Sequence, residues 1–379
     1  MEVLVVGAGP SGSVAALALA RGGARVRLVD RASFPRAKLC GDTVNPGALS
    51  LLDRLGVGAA VRAQARPIRG MRVTGPGGAA VAADYPNGLV GGAIERRVLD
   101  LLLLEAAVGT GVDFTPGIRV LAPVRDAEGR VAGVRIRSAA GESEMRARLV
   151  IAADGRGSRL GAALGLTRFA RWPKRWAFGA YFADVDGLTA HGEMHVRTDG
   201  YLGIAPLGDG LANVCVVRDA SHGPVPAGPA VVAAAIGADP GLSGRFSRAR
   251  RVSPIVALGP LAVDAAAAGC AGLLLAGDAA GFVDPMTGDG LRFAFRGGEL
   301  AAEAALLELA TGRAAHPGLR GAFQREFGSK WRFNRALRTL VASPRGVQAA
   351  AALASRWPAP FRLLIGAAGD VRLVGVRPR

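Results

Sequence analysis

The hexapeptide GAGPSG at residues 7–12 decides the fold of this 379-residue chain. An apolar run at residues 3–6 precedes it and an alanine-rich run at residues 14–20 follows it, so a strand, a glycine turn and a helix are predicted in that order. In such a unit Gly7 allows a tight turn, Gly9 lets a pyrophosphate approach the backbone, and Gly12 brings the helix close to the strand. Because the free N–H groups of the helix face the phosphates, the segment is typical of dinucleotide binding.

An acidic residue follows this unit at a suitable distance. A second strand is predicted at residues 25–29, and it ends at Asp30, 18 residues beyond Gly12. A carboxylate in this place accepts hydrogen bonds from a ribose 2′-hydroxyl. The alternative, a solvated strand end, is disfavoured by the complete frame of strand, turn, helix and strand. These residues alone do not choose between NAD and FAD.

A second glycine-rich segment, AGDAAG at residues 276–281, lies near the other end of the chain. The apolar run at residues 273–275 precedes it, and Pro285, Gly288 and Gly290 follow. Either segment alone indicates only a nucleotide, but the pair indicates a cofactor whose two halves are both bound, which favours FAD. A helix is predicted to start at Gly288, because apolar residues recur at helical spacing at Leu291, Phe295, Ala302 and Leu309. An ordinary turn before a helix is the alternative for the two glycines.

Further segments resemble a known group of flavoproteins. FPRAKLCGD at residues 34–42 is similar to the FPRxKxCG segment of geranylgeranyl reductases. GDAAGFVDP at residues 277–285 resembles a segment that these reductases share with aromatic hydroxylases of the para-hydroxybenzoate hydroxylase type. ADGRGSR at residues 153–159 resembles their shared DGxxS motif, and Arg96 matches an arginine that reaches the flavin. The chain is identified as a member of this superfamily of FAD-dependent oxidoreductases over residues 1 to 300.

The two glycine motifs and the resemblance together assign residues to FAD. The predicted contacts are Gly7, Gly9, Pro10, Ser11, Gly12, Asp30, Arg31, Lys38, Cys40, Gly41, Arg96, Asp154, Gly277, Asp278, Pro285, Gly288 and Gly290. Asp278 is expected to bind a ribityl hydroxyl, and the helix start after Gly288 to stabilise negative charge on the flavin. The resemblance places Cys40 beside the isoalloxazine as the candidate catalytic residue. The alternative is a small, buried and unreactive thiol.

The predicted fold class is α/β, with a Rossmann-type, glutathione reductase-like FAD-binding domain, an inserted antiparallel β-sheet substrate domain and a helical C-terminal region. The FAD-binding domain is discontinuous and is assigned to residues 1–70, 93–165 and 263–310. Within it a helix is predicted at residues 94–107 and strands at residues 131–136 and 149–153. The substrate domain is assigned to residues 71–92 and 166–262, with strands at residues 177–182, 192–197, 201–204 and 212–217. The basic C-terminal region is assigned to residues 311–379.

The net charge of +17 is uneven. Residues 311–379 carry 13 arginines and lysines against Glu326 and Asp370, so this region alone contributes +11. A solvated helical face and a contact with an anionic membrane are the two readings kept for it, because no nucleic-acid motif accompanies the charge. No nucleic-acid partner and no obligate protein partner is predicted. The aromatic residues interleaved with this charge are Phe323, Phe327, Trp331, Phe333, Trp357 and Phe361.

The cysteines and histidines exclude some classes of protein. Three cysteines without CxxC spacing and four histidines argue for a reducing compartment and against a metal site. Apolar runs reach about seven residues, well below the roughly 20 that span a bilayer. No charged leader precedes the first strand. A cytoplasmic protein, with membrane association left open, is therefore expected.

Two catalytic functions fit the superfamily. Prenyl reductases carry a YxWxFP segment, whereas residues 200–207 read GYLGIAPL and lack both large aromatics. This difference favours an NAD(P)H-driven hydroxylase of a hydrophobic aromatic or polyketide-like molecule, with NAD(P)H bound only transiently because no second Rossmann motif occurs. The alternative is reduction of C=C bonds in a prenyl or quinone lipid, which the FPRxKxCG segment favours. A flavin-bound protein without catalysis is the third hypothesis. The candidate substrate contacts are Trp176, Tyr181, Met194, His195 and Tyr201.

Overall fold

The computed structural model describes residues 1–220 and 228–370. Its strands are β1 (Val3–Val6), β2 (Val26–Val29), β3 (Thr43–Val44), β4 (Arg66–Ile68), β5 (Gly70–Thr74), β6 (Ala80–Asp84), β7 (Gly91–Ala93), β8 (Asp113–Thr115), β9 (Arg119–Arg125), β10 (Val131–Ser138), β11 (Gly141–Arg146), β12 (Leu149–Ala152), β13 (Thr167–Phe169), β14 (Arg175–Ala183), β15 (His191–Arg197), β16 (Gly200–Gly208), β17 (Leu211–Asp219), β18 (Arg250–Arg251), β19 (Val256–Leu258), β20 (Val263–Ala265), β21 (Gly269–Cys270) and β22 (Leu273–Leu275). Its α-helices are α1 (Pro10–Arg21), α2 (Pro46–Arg54), α3 (Gly58–Gln64), α4 (Arg96–Val108), α5 (Arg159–Ala163), α6 (Gly228–Gly237), α7 (Pro240–Ser243), α8 (Gly290–Thr311), α9 (His316–Val341), α10 (Pro344–Arg356) and α11 (Pro358–Ala368).

A six-stranded sheet, in the order β21-β22-β12-β1-β2-β8, carries both glycine-rich segments. Strand β1 pairs in parallel with β2 and β12, and β12 pairs in parallel with β22. The carboxyl ends of β1 and β22 therefore lie at the same edge of the sheet. Since parallel sheets bind their ligands at that edge, the sheet brings together two segments that are far apart in sequence.

Both faces of this sheet are covered, so all four residues of β1 are buried. On one face lie α1, α4 and α8, which contribute Leu17, Leu99 and Phe295 to the largest core cluster. On the other face lies a separate three-stranded antiparallel sheet of β9, β10 and β11. Val134 of β10 packs there with Leu4 of β1. The strand predicted at residues 131–136 thus covers the parallel sheet and does not belong to it.

A second sheet has the order β18-β14-β17-β16-β15-β5-β6, with β19 paired to β14. The strands predicted within residues 166–262 pair in antiparallel fashion. The prediction of an antiparallel sheet is wrong at one pair of strands, because β5 pairs in parallel with β15. Strand β5 comes from a distant part of the chain and is not joined to β15 by a hairpin, so nothing forces it to reverse direction.

The C-terminal region is helical over its described part, and residues 371–379 lie outside the described residues. Helix α9 packs on α8 through Phe323 and Phe327. Helices α10 and α11 pack on one face of the second sheet near its β6 end, where Ala354 and Ile365 join Val81 of β6. In the part of the chain that the structure describes, no helix combines the length and apolar character needed to cross a membrane.

Candidate functional site

The glycine loop after β1 has a backbone that only glycine accepts. Gly7 lies at φ +99°, and a Cβ atom on it would be 2.4 Å from the carbonyl oxygen of Ala153. A Cβ atom on Gly12 would be 1.7 Å from the carbonyl oxygen of Gly7, so α1 starts in direct contact with the strand end. At Gly9 the nearest atom would be a guanidinium nitrogen of Arg36 at 3.4 Å. The loop is thus closed on its protein side and open toward a cavity.

Asp30 at the end of β2 is fixed against this loop. Its carboxylate accepts hydrogen bonds from the backbone N–H of Ala8 (2.8 Å) and from that of Ala32 (2.9 Å). The side chain is half-buried and lines the same cavity, as does the neighbouring Arg31. Asp30 is therefore not a freely solvated residue at the end of a strand. Its contact with a ribose stays a prediction.

The second glycine-rich segment meets the first one directly. Gly277 begins a 3-10 turn after β22, at φ +61°, and a Cβ atom on it would be 2.7 Å from the Cβ atom of Ser11. Asp278 follows in this turn and lines the cavity. Only a residue without a side chain permits so close an approach, so Gly277 packs behind the site while Asp278 faces it.

A cavity of about 960 Å³ extends from these two segments. Fifteen of the 17 predicted FAD contacts line it, the exceptions being Gly12 and Gly277, which hold the glycine segments together from behind. The hydroxyl oxygen of Ser11 is buried in the wall without a hydrogen-bond partner among the described residues. An unpaired hydroxyl beside an open glycine backbone fits the phosphates of a dinucleotide, because both offer hydrogen-bond donors to an anion.

Charged groups surround the part of the cavity next to Cys40. The guanidinium of Arg96, at the start of α4, donates two hydrogen bonds to Asp100 (2.8 and 2.9 Å). Although burial alone would lower it, the pKa of Arg96 is raised by this carboxylate. Burial lowers the pKa of Lys38, helped by Arg96 and opposed by Asp278. Burial raises the pKa of Asp278, against the effect of Lys38 and Arg96. The site therefore holds a fixed positive charge next to two groups whose charges are sensitive to what binds.

Cys40 lies in this wall with Gly41. Burial raises the pKa of the Cys40 thiol, opposed by the nearby Arg96, so the thiol carries its proton near neutral pH. Its backbone carbonyl accepts hydrogen bonds from the Asn213 side chain (2.9 Å) and from the Cys215 thiol (3.2 Å). Cys215 also lines the cavity. The Cys40 loop is thus anchored to β17 of the second sheet.

The helix expected from Gly288 begins two residues later, at Gly290. Pro285 opens a 3-10 turn, and Gly288 adopts a left-handed conformation (φ +69°), which cannot continue into a helix. Asp284 before this turn accepts hydrogen bonds from Arg175 (2.8 Å) and from the Tyr201 hydroxyl (2.6 Å). The turn beside the cavity is therefore tied to the second sheet.

Two of the five predicted substrate contacts line the cavity, namely Met194 and Tyr201. Trp176, Tyr181 and His195 do not line it. Trp176 joins the core on the opposite face of the second sheet, and His195 bonds with Thr74 (2.9 Å) and Glu193 (3.0 Å). For Trp176 and His195 the cause is that alternate residues of a strand face opposite ways, and an apolar strand does not reveal its phase. Tyr181 shares the face of Ala177, but its hydroxyl donates a hydrogen bond to the buried Asp42 (2.7 Å) and does not face the cavity.

Sequence reasoning missed Asp42, Asp284 and Arg175. Asp42 is fully buried, and one of its oxygens accepts hydrogen bonds from the Tyr181 hydroxyl (2.7 Å) and the Asn213 amide (2.5 Å). Asp42 is the last residue of one motif quoted above and Asp284 is the penultimate residue of another, so an acidic residue within a motif was the available signal. Arg175 lacks a local signal, because its partner Asp284 lies 109 residues away.

Beyond Cys40 and Gly288 the cavity becomes apolar. One side is the second sheet, with Met71, Val73, Ala177, Val196 and Val217. The other side comes from α9, α10 and α11, with Leu337, Val341, Val347, Ala354, Phe361 and Ile365. The polar and apolar parts form one continuous space.

Comparison with known proteins shows the family to which the chain belongs. Residues 1–223 match the FAD binding domain family. The menaquinone reductase of Mycobacterium tuberculosis is 33% identical over 330 residues, which cover 80% of this chain and 76% of that protein. Digeranylgeranylglycerophospholipid reductase 1 of Methanopyrus kandleri is 32% identical over 331 residues, 80% of each chain. The myxobacterial chondrochloren halogenase, a FAD-dependent halogenase, shares the fold with a TM-score of 0.83 at 23% identity, covering all of this chain and 98% of that one.

The predicted resemblance to flavoproteins of the geranylgeranyl reductase and hydroxylase group is confirmed by these similarities, and so are the α/β fold class and FAD as the cofactor. The roles of individual site residues stay predictions. A fold shared with a halogenase leaves the reaction open. What the matched domain and the reductase relatives establish together is that the chain belongs to the FAD-dependent oxidoreductases.

Proposed function

We propose that the protein reduces carbon–carbon double bonds in the isoprenoid chain of a quinone or prenyl lipid. The observation that carries this proposal is the lining of the cavity, which continues from Asp278 and Cys40 into an apolar space between the second sheet and α9–α11. An extended hydrocarbon chain buries its surface there without leaving polar groups unpaired. The names of the reductase relatives support the same substrate class.

FAD, once reduced by NAD(P)H as the proposed electron donor, would supply the hydride for such a reduction. The chain itself must supply a proton and an environment without water. Cys40 is suited to the first task, because burial keeps its thiol protonated in the cavity wall. Arg96, held by Asp100, then stabilises negative charge next to it. The apolar walls of the cavity serve the second task.

Hydroxylation of an aromatic or polyketide-like molecule, preferred above from the sequence alone, is the competing function. The missing channel aromatics at residues 200–207 favour it, and the same cavity accepts such a molecule. The chemistry of the two products separates the functions. A reductase adds two hydrogens without oxygen, whereas a hydroxylase adds one oxygen atom and requires molecular oxygen.

We also retain as proposals a cytoplasmic location and a glutathione reductase-like FAD-binding domain.

The test is turnover of a short isoprenoid quinone by the FAD-loaded protein under anaerobic conditions, with NAD(P)H added as the reductant. After the quinone ring has been reoxidised, we expect a product whose isoprenoid chain is two hydrogens heavier, and Cys40→Ser is expected to lower kcat at least tenfold while FAD content stays unchanged. Cys270→Ser is the matched control, because Cys270 lies outside the cavity. A product that forms only with oxygen and is one oxygen heavier would make the protein a hydroxylase. Unchanged turnover in Cys40→Ser would remove Cys40 from the reaction.

A further inference from the structure

We propose that one face of α10 and α11 docks on an anionic lipid surface and takes up the lipid substrate there. This lipid-docking face consists of Leu353, Trp357, Leu363 and Leu364, with the arginines Arg345, Arg356 and Arg362. The docking itself does not depend on which reaction follows. The uptake of substrate rests on the proposed function.

The apolar residues of the face are open to solvent. Leu363 is 76% exposed and Trp357 is 64% exposed. These are the two largest exposed fractions of any bulky apolar side chain in the part of the chain that the structure describes. Of the aromatic residues of α9, Phe323 and Phe327 are buried against α8 and Trp331 packs on the same core, while Phe333 lines the cavity. The membrane contact expected from the whole basic tail is therefore narrowed to the turn between α10 and α11.

The charge of the face selects its partner. Residues 342–369 contain three arginines and no acidic residue, and all three arginines are exposed. Arginine beside exposed tryptophan and leucine is the composition of a helix that lies on an anionic membrane. A symmetric contact between two copies would bring like charges together, and residues 371–379 carry three further arginines and no acid. Charge thus disfavours both of these as the occupant.

The face is continuous with the cavity. Leu364 is 43% exposed and yet also lines the cavity, and so does Leu340 at the end of α9. Phe361, one turn before Leu364, lines the cavity as well. An apolar path therefore leads from the exposed face to the space beside Cys40. A lipid chain following it is never transferred through water, which costs about 0.8 kcal/mol per CH₂ group.

The test of docking is sedimentation of the full-length, FAD-loaded protein with vesicles. Vesicles of phosphatidylglycerol and phosphatidylcholine should bind the protein at low salt, and those of phosphatidylcholine alone should not. Binding should vanish at 1 M salt, where the Debye length is about 3 Å. Leu363→Glu and Trp357→Ala are expected to weaken binding at least tenfold. Leu307→Glu is the matched control, because Leu307 is 59% exposed on α8, far along the chain from this face.

Each outcome of these experiments supports or overturns the proposed docking face. No binding by the natural sequence, or equal loss in Leu363→Glu and Leu307→Glu, overturns the docking face. A dimer at low salt that Leu363→Glu dissociates would assign the face to a second copy of the chain instead. Turnover separates docking from the proposed function: Leu363→Glu should retain activity on a short, dispersed isoprenoid quinone and lose it on a vesicle-embedded one. Vesicle binding that depends on Leu363, without turnover of any isoprenoid, would leave the docking intact and refute the reductase.

Discussion

At the scale of single residues, Asp42 is the least ordinary group of the site. It adopts a left-handed backbone (φ +53°) and is fully buried. Burial raises the pKa of its carboxyl to about 7, against the hydrogen bonds from Asn213 and Tyr181. Asn213 also holds the carbonyl of Cys40, so the charge of Asp42 is coupled to the position of the candidate catalytic loop.

Replacing Asp42 by Asn should flatten the dependence of stability on pH. The folded-state pKa lies above the ordinary value of 3.8, so this carboxyl stabilises the fold fully below about pH 4 and loses that contribution as the pH rises through 7. Each pKa unit corresponds to about 1.4 kcal/mol, enough to move the unfolding midpoint by a few degrees. The measurement is the unfolding midpoint at pH 5, 6, 7 and 8.

The matched control is Asp209→Asn, since Asp209 also has a left-handed backbone (φ +45°) but is exposed. This control should follow the natural protein at every pH. Burial also raises the pKa of Asp289 to about 7, so part of the slope will remain in Asp42→Asn. If the midpoints of Asp42→Asn and the natural protein fall in parallel from pH 5 to 8, Asp42 does not titrate in this range.

At the scale of elements, the contact between α1 and α8 positions the site. Gly298 of α8 packs on the backbone of α1, where a Cβ atom on it would lie 2.4 Å from the carbonyl oxygen of Ser11. Small residues on both helices, among them Ala15 and Ala301, continue this contact in the core. The start of α1 carries Gly9 and Ser11, so the spacing of the two helices sets the geometry of the phosphate loop.

Gly298→Ala should therefore weaken both folding and FAD binding. Overpacking of this kind costs about 1–3 kcal/mol, because the backbone of α1 must move. The measurements are the urea midpoint and the fraction of bound FAD at limiting FAD. Gly328→Ala in the middle of α9 is the control: its Cβ atom would meet only a guanidinium nitrogen of Arg332, at 3.9 Å. Alanine should stabilise that helix by up to about 1 kcal/mol. A Gly298→Ala protein with unchanged FAD affinity would show that the helix spacing does not control the site.

At the scale of the whole molecule, the cavity joins parts of the chain that are far apart. Its walls come from the first 45 residues, from both sheets and from the C-terminal helices. A ligand in contact with all of them stabilises the folded state by mass action, by about 2.7 kcal/mol at a concentration one hundred times its dissociation constant. Removing FAD should accordingly lower the unfolding midpoint by several degrees, as measured calorimetrically.

Adding back FAD should restore the midpoint, whereas FMN at the same concentration should restore little of it, because FMN lacks the adenosine half that Asp30 and the glycine loop are predicted to hold. Chromatography of the flavin released on denaturation should likewise identify FAD. Equal rescue by FMN would mean that the first glycine motif contributes no binding energy.

The sequence by itself determined the nucleotide-binding architecture. Both glycine segments can be recognised from local sequence. The apolar strand, the glycine turn and the following helix all lie within about 20 residues of one another. Asp30, at a fixed spacing from the first turn, and Asp278, within the second, could be named for the same reason, whereas Lys38 was named from the resemblance of residues 34–42 to the reductase segment. Fifteen of the 17 residues named for FAD indeed line one cavity.

Only the tertiary structure decided what faces the substrate. Trp176 and Ala177 are neighbours on β14, yet only Ala177 lines the cavity, because the phase of a strand with apolar residues on both faces depends on which sheet face meets the core. Phe327 is a second example. Its position on an amphipathic helix fits a buried face as well as a membrane-facing one, and only the packing of α9 on α8 shows that it is buried. Partners such as Arg175 and Asp284 lie far apart in sequence, so nothing local links them. Side-chain facing is a property of packing, and packing joins segments that the linear chain keeps separate.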